Sequence, residues 1–431
     1  MNRVNQMRRF FLLINIVLLT ACTSQNVLFF KELDAPPVHK NIYPNEHVIR
    51  VYLDRYGDLY PEGENRIPSQ AVVLLEKNEP AAVGNVLSAF YEQADICLGD
   101  NSPIASMMCP VNGSPIYPYE ENKENCDAGY TKNQRVLDVW RSVQDILWAQ
   151  KIEEVISSQA KLNGPVVLLI HGFNVPDAEP SYVIARSQVR RFLPQGLQPL
   201  FIQIHWDGLS GFPVPWAKAQ FNAPLVGLKL RRLLNSINGS VPVRILTHSS
   251  GGIVAASLIG DASQSLPCAN AKEGVYHEYR KWASLVNNTA PLSIYRVPAH
   301  LTDFRVGMLA AAAPEVAFGG RNEGKGVLIS SGRLIFGMNP SDEIVTKGFN
   351  LESWDFLGNT EMATGGKAFA AFYTLQKKLA LTHPALELVG INFADSQGCN
   401  KRGRFAFWRE SHDFSAYLCR DQIELFMQFL L

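Results

Sequence analysis

A short run of small residues follows an apolar segment near the middle of the chain, and a serine there is placed to act as a nucleophile. Residues 243–246 are followed at once by Thr247-His248-Ser249-Ser250-Gly251-Gly252. A serine on a sharp turn between a strand and a helix has its hydroxyl lifted clear of the sheet. The sequence therefore predicts Ser249 as the nucleophile. It also predicts the Ser250 N–H, at the helix start, as a donor to developing negative charge.

Two features of this turn leave alternatives open. Thr247 stands where the motif G-x-S-x-G has its first glycine, so the strand and the helix must separate slightly there or the turn is less tight. Ser250 is a rival nucleophile, although His248 would then fill the small-residue position. Serine and glycine turns also often do no more than link a strand to a helix.

A second motif, His171-Gly172-Phe173-Asn174, ends the apolar run of residues 166–170. A glycine at this point leaves room for an acyl group near the backbone, and the Phe173 N–H is the predicted second oxyanion donor. His171 precedes the nucleophile on a different strand end. We therefore expect it to be a structural histidine bonded to the backbone.

The H-G-F-N and H-S-x-G-G motifs together resemble those of the α/β-hydrolase superfamily, and the alternating strands and helices extend the resemblance over about residues 48–431. The strand ending Ile204-His205-Trp206 is similar to that of a subgroup of bacterial hydrolases of undefined function. The resemblance implies an α/β-hydrolase fold, with a mostly parallel sheet and helices on both faces. It also implies a serine, an acid and a histidine in that order along the chain.

That order assigns the remaining two members of a triad by resemblance. Asp342 follows the predicted strand 333–338 in a Pro-containing turn and matches the family's acid, which would accept the imidazole N–H. Glu343 and Asp395 are the alternative acids, and a solvated turn acid is the simpler interpretation of Asp342. His412 follows the last strand and is the candidate base that takes the Ser249 proton.

The resemblance implies a serine hydrolase that forms an acyl-enzyme on carboxylic esters, including lipid or acyl esters. No metal or organic cofactor is expected. An amidase or peptidase uses the same triad, and a non-catalytic envelope protein that binds partners is the alternative from another class. Four aromatic residues could line an apolar pocket or be core: Phe173, Trp206, Phe212 and Trp216.

The N-terminus has the features of an export signal. Arginines precede an apolar stretch, residues 10–19, that is shorter than the ~20 residues needed to span a bilayer. Leu19-Thr20-Ala21-Cys22 resembles a bacterial lipobox, which implies cleavage before Cys22 and a lipid on its thiol. Thr23 then favours the outer membrane if the source is Gram-negative. An ordinary cleaved signal is the alternative.

The predicted organisation is therefore a signal peptide (residues 1–21), a lipidated tether (22–45) and an α/β-hydrolase domain (46–431) in the bacterial cell envelope. Two insertions interrupt the domain, at about 97–131 and about 263–304. The second contains apolar residues at helical spacing, which suit either a cap over a cleft or a surface helix packed on the core.

Composition sets wide bounds on the class of protein. The chain has 431 residues, of which 47% are hydrophobic, and 40 Lys+Arg balance 40 Asp+Glu. This composition excludes a disordered chain, and the zero net charge argues against non-specific nucleic-acid binding. The strands are predicted at residues 48–56, 165–170, 200–205, 243–246, 306–313, 333–338 and 386–393.

Six cysteines remain when Cys22 is set aside, and an even set in an oxidising compartment allows three disulfides. They are Cys97, Cys109, Cys126, Cys268, Cys399 and Cys419. A Cys399–Cys419 bridge is favoured, and buried free thiols are the alternative. A metal site is the rival, but the sequence has no C-x-x-C pair at ligand spacing.

Overall fold

A computed structural model describes residues 47–53, 57, 59–60, 153–154, 156–157, 163–173, 175, 178–206, 208, 214–262, 279–280, 282–284, 286, 290–319, 326–339, 365–394 and 412–431. Within these residues, eight strands form one sheet in the order β2-β1-β4-β3-β5-β6-β7-β8. The strands are β1 (Val48–Leu53), β2 (Leu59–Tyr60), β3 (Val166–Ile170), β4 (Leu200–Trp206), β5 (Val243–His248), β6 (Phe304–Leu309), β7 (Ser331–Met338) and β8 (Ala385–Asn392).

The sheet is parallel apart from the edge strand β2, which pairs antiparallel with β1. Every residue of β1, β3, β4 and β5 is buried. This burial explains why the sequence of β3 is a continuous apolar run. The polar residues of the other three strands, among them Arg50, Gln203 and Arg244, are buried as well. The predicted α/β fold with a mostly parallel sheet is confirmed.

Helices cover both faces of the sheet. The helices are α1 (Glu179–Phe192), α2 (Val214–Asn235), α3 (Gly251–Ile259), α4 (Val316–Gly319), α5 (Gly365–Thr382), α6 (Phe414–Leu418) and α7 (Ile423–Leu430). Side chains of α2, α3, α4 and α5 share one apolar core with alternate strand residues, whereas α1, α6 and α7 share a second core with the others. The helices therefore lie on both faces, as the sequence predicts.

The strand predicted over residues 306–313 is wrong in its second half. β6 ends at Leu309, and Ala310 has a positive φ of 47°, which breaks the extended conformation. The run of alanines fits here for another reason. A methyl group added at Gly252 in α3 would lie 2.9 Å from the Ala311 Cβ, so only small residues let this segment pass the helix start.

Part of the predicted insertion at 263–304 lies among the described residues. Tyr279 and Trp282 are buried in a cluster with Leu225 and Leu228 of α2. This portion of the insertion therefore packs on the core as a surface helix would. The insertion at 97–131, Cys22 and five of the other cysteines lie outside the described residues, and Cys419 is half-buried just after α6.

No helix among the described residues combines the length and the apolar character needed to cross a bilayer.

Candidate active site

Ser249 occupies a strained turn between β5 and α3. Its φ is +53°, in the left-handed region that side chains with a Cβ avoid. Such a conformation costs about 1–3 kcal/mol and persists only where neighbours hold it in place. Backbone hydrogen bonds keep Ser249 in this conformation. Its N–H donates to the Leu309 carbonyl at 3.0 Å, and its carbonyl accepts from Gly252 N and Ala312 N, each at 2.9 Å.

Small residues let three segments meet at this turn. A methyl group added at Gly172 would lie 2.7 Å from the Ser249 Cβ, and one added at Gly251 would lie 2.8 Å from the His171 carbonyl oxygen. Thr247 is fully buried within β5 and does not prevent the turn. The first glycine of the motif is thus replaced without loss of the sharp strand-to-helix turn.

His412 lies directly against the serine. Its Nε2 atom is 2.9 Å from the Ser249 Oγ, a distance that suits donation by the serine hydroxyl to an unprotonated ring nitrogen. His412 precedes α6, whereas Ser249 follows β5, so the fold brings together two residues that are remote in sequence. Ser249 is 6% exposed.

A second histidine supports the ring of the first. The His248 ring lies 4.7 Å from that of His412 and is stacked 5.4 Å from that of Phe414, measured between centroids. Burial, and then the charge of His412, lower the pKa of His248 well below its ordinary value. His248 therefore stays neutral at physiological pH.

Ser250 lies deeper than Ser249 and is fully buried. Its Oγ accepts a hydrogen bond of 2.8 Å from the Gln220 side-chain amide. His412 contacts the Ser249 hydroxyl, so the geometry favours Ser249 over Ser250 as the nucleophile. The N–H groups at the start of a helix have no partners within the helix, and the Ser250 N–H stands at that position in α3.

The direction of the Ser250 N–H is set by its own peptide plane. In a trans peptide the N–H points opposite to the preceding carbonyl. That carbonyl belongs to Ser249 and is held by Gly252 N and Ala312 N. The Ser250 N–H therefore points away from both of these groups.

His171 braces the segment that carries the other predicted donor, Phe173. The His171 ring donates from Nδ1 to the Gly172 carbonyl (2.7 Å) and accepts at Nε2 from Trp206 N (3.2 Å). Its backbone N–H donates to the Tyr182 hydroxyl (3.0 Å), which itself donates to the Ile204 carbonyl. His171 is thus bonded to backbone on both ring nitrogens. Burial raises the pKa of Tyr182 well above its ordinary value, so this hydroxyl stays protonated.

The predicted aromatic pocket receives no support from Trp206. This residue is fully buried in the core, and its indole N–H donates to the His171 carbonyl at 2.9 Å. Phe173 is half-buried against the same core. Phe212 lies outside the described residues, as do the Trp216 side chain and the three candidate acids, Asp342, Glu343 and Asp395.

The sequence gives little sign of several residues that shape the site. Gln220, Tyr182 and Ala312 belong to no motif, and each acts through a contact with a distant part of the chain. Among the described residues, no group of three or more His, Cys, Asp or Glu side chains is arranged to hold a metal ion. No protein-family model, curated protein or solved structure matches this chain.

Proposed function

We propose that this chain is a serine hydrolase of the α/β-hydrolase superfamily that cleaves carboxylic esters, including lipid or acyl esters. One observation carries the proposal. The serine with left-handed backbone at the end of β5 lies 2.9 Å from the His412 ring nitrogen. A nucleophile on a strained strand-to-helix turn, next to a base, is the arrangement that acyl transfer needs.

The reaction follows from this geometry. His412 accepts the Ser249 proton while Oγ attacks the carbonyl carbon, and the carbonyl oxygen becomes an oxyanion. The N–H groups of Phe173 and Ser250 would each stabilise that charge by about 3 kcal/mol. His412 then gives its proton to the leaving alcohol, and an acyl-enzyme remains on Ser249. Water, deprotonated by His412, releases the acid and restores the serine.

We propose Asp342 as the acid that orients His412 and stabilises its protonated form. β7 lies two strands from β5 in the sheet, a separation of about 10 Å. Asp342 stands three positions after Asn339, which pairs at the end of β7, and three residues of chain reach about 10 Å. The chain is therefore long enough for the carboxylate to approach the site from the carboxyl ends of the strands.

The lipobox-like Cys22 suggests that a lipid anchor holds this site at a membrane of the bacterial envelope. Feeding expressing cells a labelled fatty acid tests that part of the proposal. Label is expected on the wild-type chain and should be absent from the Cys22→Ala variant. A wild-type chain without label would contradict the anchor and would leave the chemistry of Ser249 unaffected.

A panel of p-nitrophenyl esters of increasing acyl length tests the activity. We expect hydrolysis of at least the short esters, and a loss of about 10⁴-fold or more in kcat for Ser249→Ala. Ser240→Ala is the matched control, because Ser240 is an exposed serine before β5 whose hydroxyl donates to the Asn238 side chain, away from the site. Hydrolysis of amides but not esters would favour an amidase. Absence of both would favour a binding protein.

A further inference from the structure

The helix α2 has a proline at position 224, one turn after Gln220. Proline has no N–H, so the Gln220 carbonyl loses the hydrogen bond that it would otherwise accept within the helix, and helices bend at such positions. The Gln220 side chain is 3% exposed and reaches across to α3, where it donates to the Ser250 Oγ at 2.8 Å.

The rest of α2 is fixed firmly against α3. Gly227 packs on the Val254 carbonyl with no room for a methyl group. The Ser257 hydroxyl donates to the Pro224 carbonyl at 2.5 Å, and the buried Arg231 donates to the carbonyl oxygens of Ser257 and Gly260. Gln220 therefore extends from a rigid helix pair rather than from a loose segment.

Ser250 uses its hydroxyl in an unusual way for its position. It stands at the N-cap of α3, where a serine hydroxyl commonly accepts a hydrogen bond from the first N–H groups of the helix. Ser250 makes no such bond in the described structure. Its hydroxyl is bound to α2 through Gln220 instead, and this fixes the Ser250 side chain relative to a second helix.

We propose that Gln220 is a positioning residue for the oxyanion site, holding Ser250 so that its backbone N–H stays directed at the carbonyl oxygen of the substrate. The inference rests on the proposed function. Backbone hydrogen bonds already hold the Ser249 carbonyl at one end of the peptide group that joins Ser249 to Ser250. Gln220 restrains the other end of this peptide group through the Ser250 side chain. Oxyanion donors contribute most when they are fixed before the charge develops.

A double-mutant cycle on kcat tests the proposal. Gln220→Met keeps the length of the side chain and removes the donor, and Ser250→Ala removes the acceptor. Each single change is expected to lower kcat for a short p-nitrophenyl ester by about tenfold to hundredfold, less than the loss of a whole donor. KM is expected to stay within about twofold, because the donor acts mainly in the transition state. The double variant should be no worse than the worse single variant.

Asn235→Ala is the matched control. Asn235 is also an amide on α2, and its side chain donates to the carbonyl oxygens of Ile294 and Arg296 at the other end of the helix. Its loss should lower the melting temperature and leave kcat unchanged. If Gln220→Met fails to fold, Ser250→Ala removes the same contact from the other side.

The outcomes separate this inference from the proposed function. If wild type hydrolyses esters and both single variants keep wild-type kcat, or if their losses multiply in the double variant, the role of Gln220 is overturned while the hydrolase stands. If wild type hydrolyses nothing and is not labelled by a fluorophosphonate, both proposals fail. The inference is supported if both single variants lose kcat at constant KM and the double variant loses no more than the worse single variant.

Discussion

The Nε2 atom of His412 lies 2.9 Å from the Oγ atom of Ser249, although 163 positions separate the two residues in sequence. The contact joins the carboxyl end of a central strand to the residue that precedes α6. Neither residue needs to move for the proton transfer that the proposed reaction requires.

Replacing His412 should remove nearly all catalysis without unfolding the protein. We expect His412→Ala to lower kcat by about 10⁴-fold or more, because Ser249 then has no proton acceptor. His383→Ala is the control, since His383 is bonded to the hydroxyl of its neighbour Thr382 on the surface after α5. Steady-state kinetics with a circular dichroism spectrum of each variant provide the measurement. A His412→Ala chain within tenfold of wild type would contradict the assignment.

Gly172 allows the H-G-F-N segment to lie against the nucleophile. Gly172→Ala would place a methyl group 2.7 Å from the Ser249 Cβ and 3.0 Å from the His248 carbonyl oxygen. The required shift should cost about 100-fold in kcat/KM, because displacements near 1 Å have effects of that size.

The control for Gly172 is Gly196, which has a positive φ of 89° and no atom near its missing Cβ. Gly196→Ala should lose about 1 kcal/mol of stability through backbone strain and keep full activity. Thermal melts and ester hydrolysis measured on both variants separate destabilisation from damage to the site. Equal activity in the two variants would argue against close packing at Ser249.

The identity of the acid can be decided by three substitutions. Asp342→Asn should lower kcat by about 10⁴-fold, because an amide favours the wrong tautomer of the histidine. Glu343→Gln and Asp395→Asn should each leave kcat within a few fold of wild type. If one of those two shows the large loss instead, the acid has been assigned to the wrong residue and the triad itself stands.

Glu179, at the start of α1, has a carboxylate that forms ion pairs with two buried arginines. Its Oε2 atom lies 3.2 Å from the Arg50 Nε atom, and its Oε1 atom lies 3.0 Å from the Arg186 Nη1 atom. Burial raises the pKa of Glu179, but hydrogen bonds from both arginines and their charges outweigh it, so the pKa lies below its ordinary value. The ionised Glu179 therefore contributes its full stabilisation of the folded state at pH values above the unfolded pKa of about 4.3. This contribution is lost as pH falls through the lower folded pKa.

Glu179→Gln should thus lower the free energy of unfolding at neutral pH by about 3 kcal/mol, since it leaves two buried cations without their anion. The difference from wild type should shrink as the pH falls from about 5 through the lowered folded pKa of Glu179. Glu387→Gln is the comparison, because Glu387 forms a half-exposed pair with Arg333 and should have little effect. Urea titrations across this pH range measure both. A constant difference at every pH would contradict the linkage.

The elements that hold Ser249 could be predicted because their signal is local. The apolar runs before Gly172 and Ser249 are long enough to specify buried strands, and the small residues after them specify a sharp turn. The same reasoning failed at residues 310–313. The apolar run predicted a continued strand, although alanine is uncommon in strands, and the chain leaves the strand at Ala310. The close approach of Gly252 to Ala311, which explains the small residues there, could not be read from the sequence.

Contacts between remote segments could not be predicted in this way. Gln220 reaches Ser250 because α2 and α3 cross closely at Gly227, and Tyr182 meets the His171 backbone because α1 crosses the sheet there. Such contacts depend on how helices and strands pack against each other. No short motif in a single sequence specifies this packing.

Covalent labelling of the serine tests the central claim most directly. The wild-type protein is treated with a fluorophosphonate, digested and mapped by mass spectrometry, with Ser249→Ala and His412→Ala treated in parallel. The phosphonyl group should be found on Ser249, should be absent from Ser249→Ala and should form far more slowly in His412→Ala. A wild-type chain that carries no adduct, or carries it on another residue such as Ser250, would contradict the account.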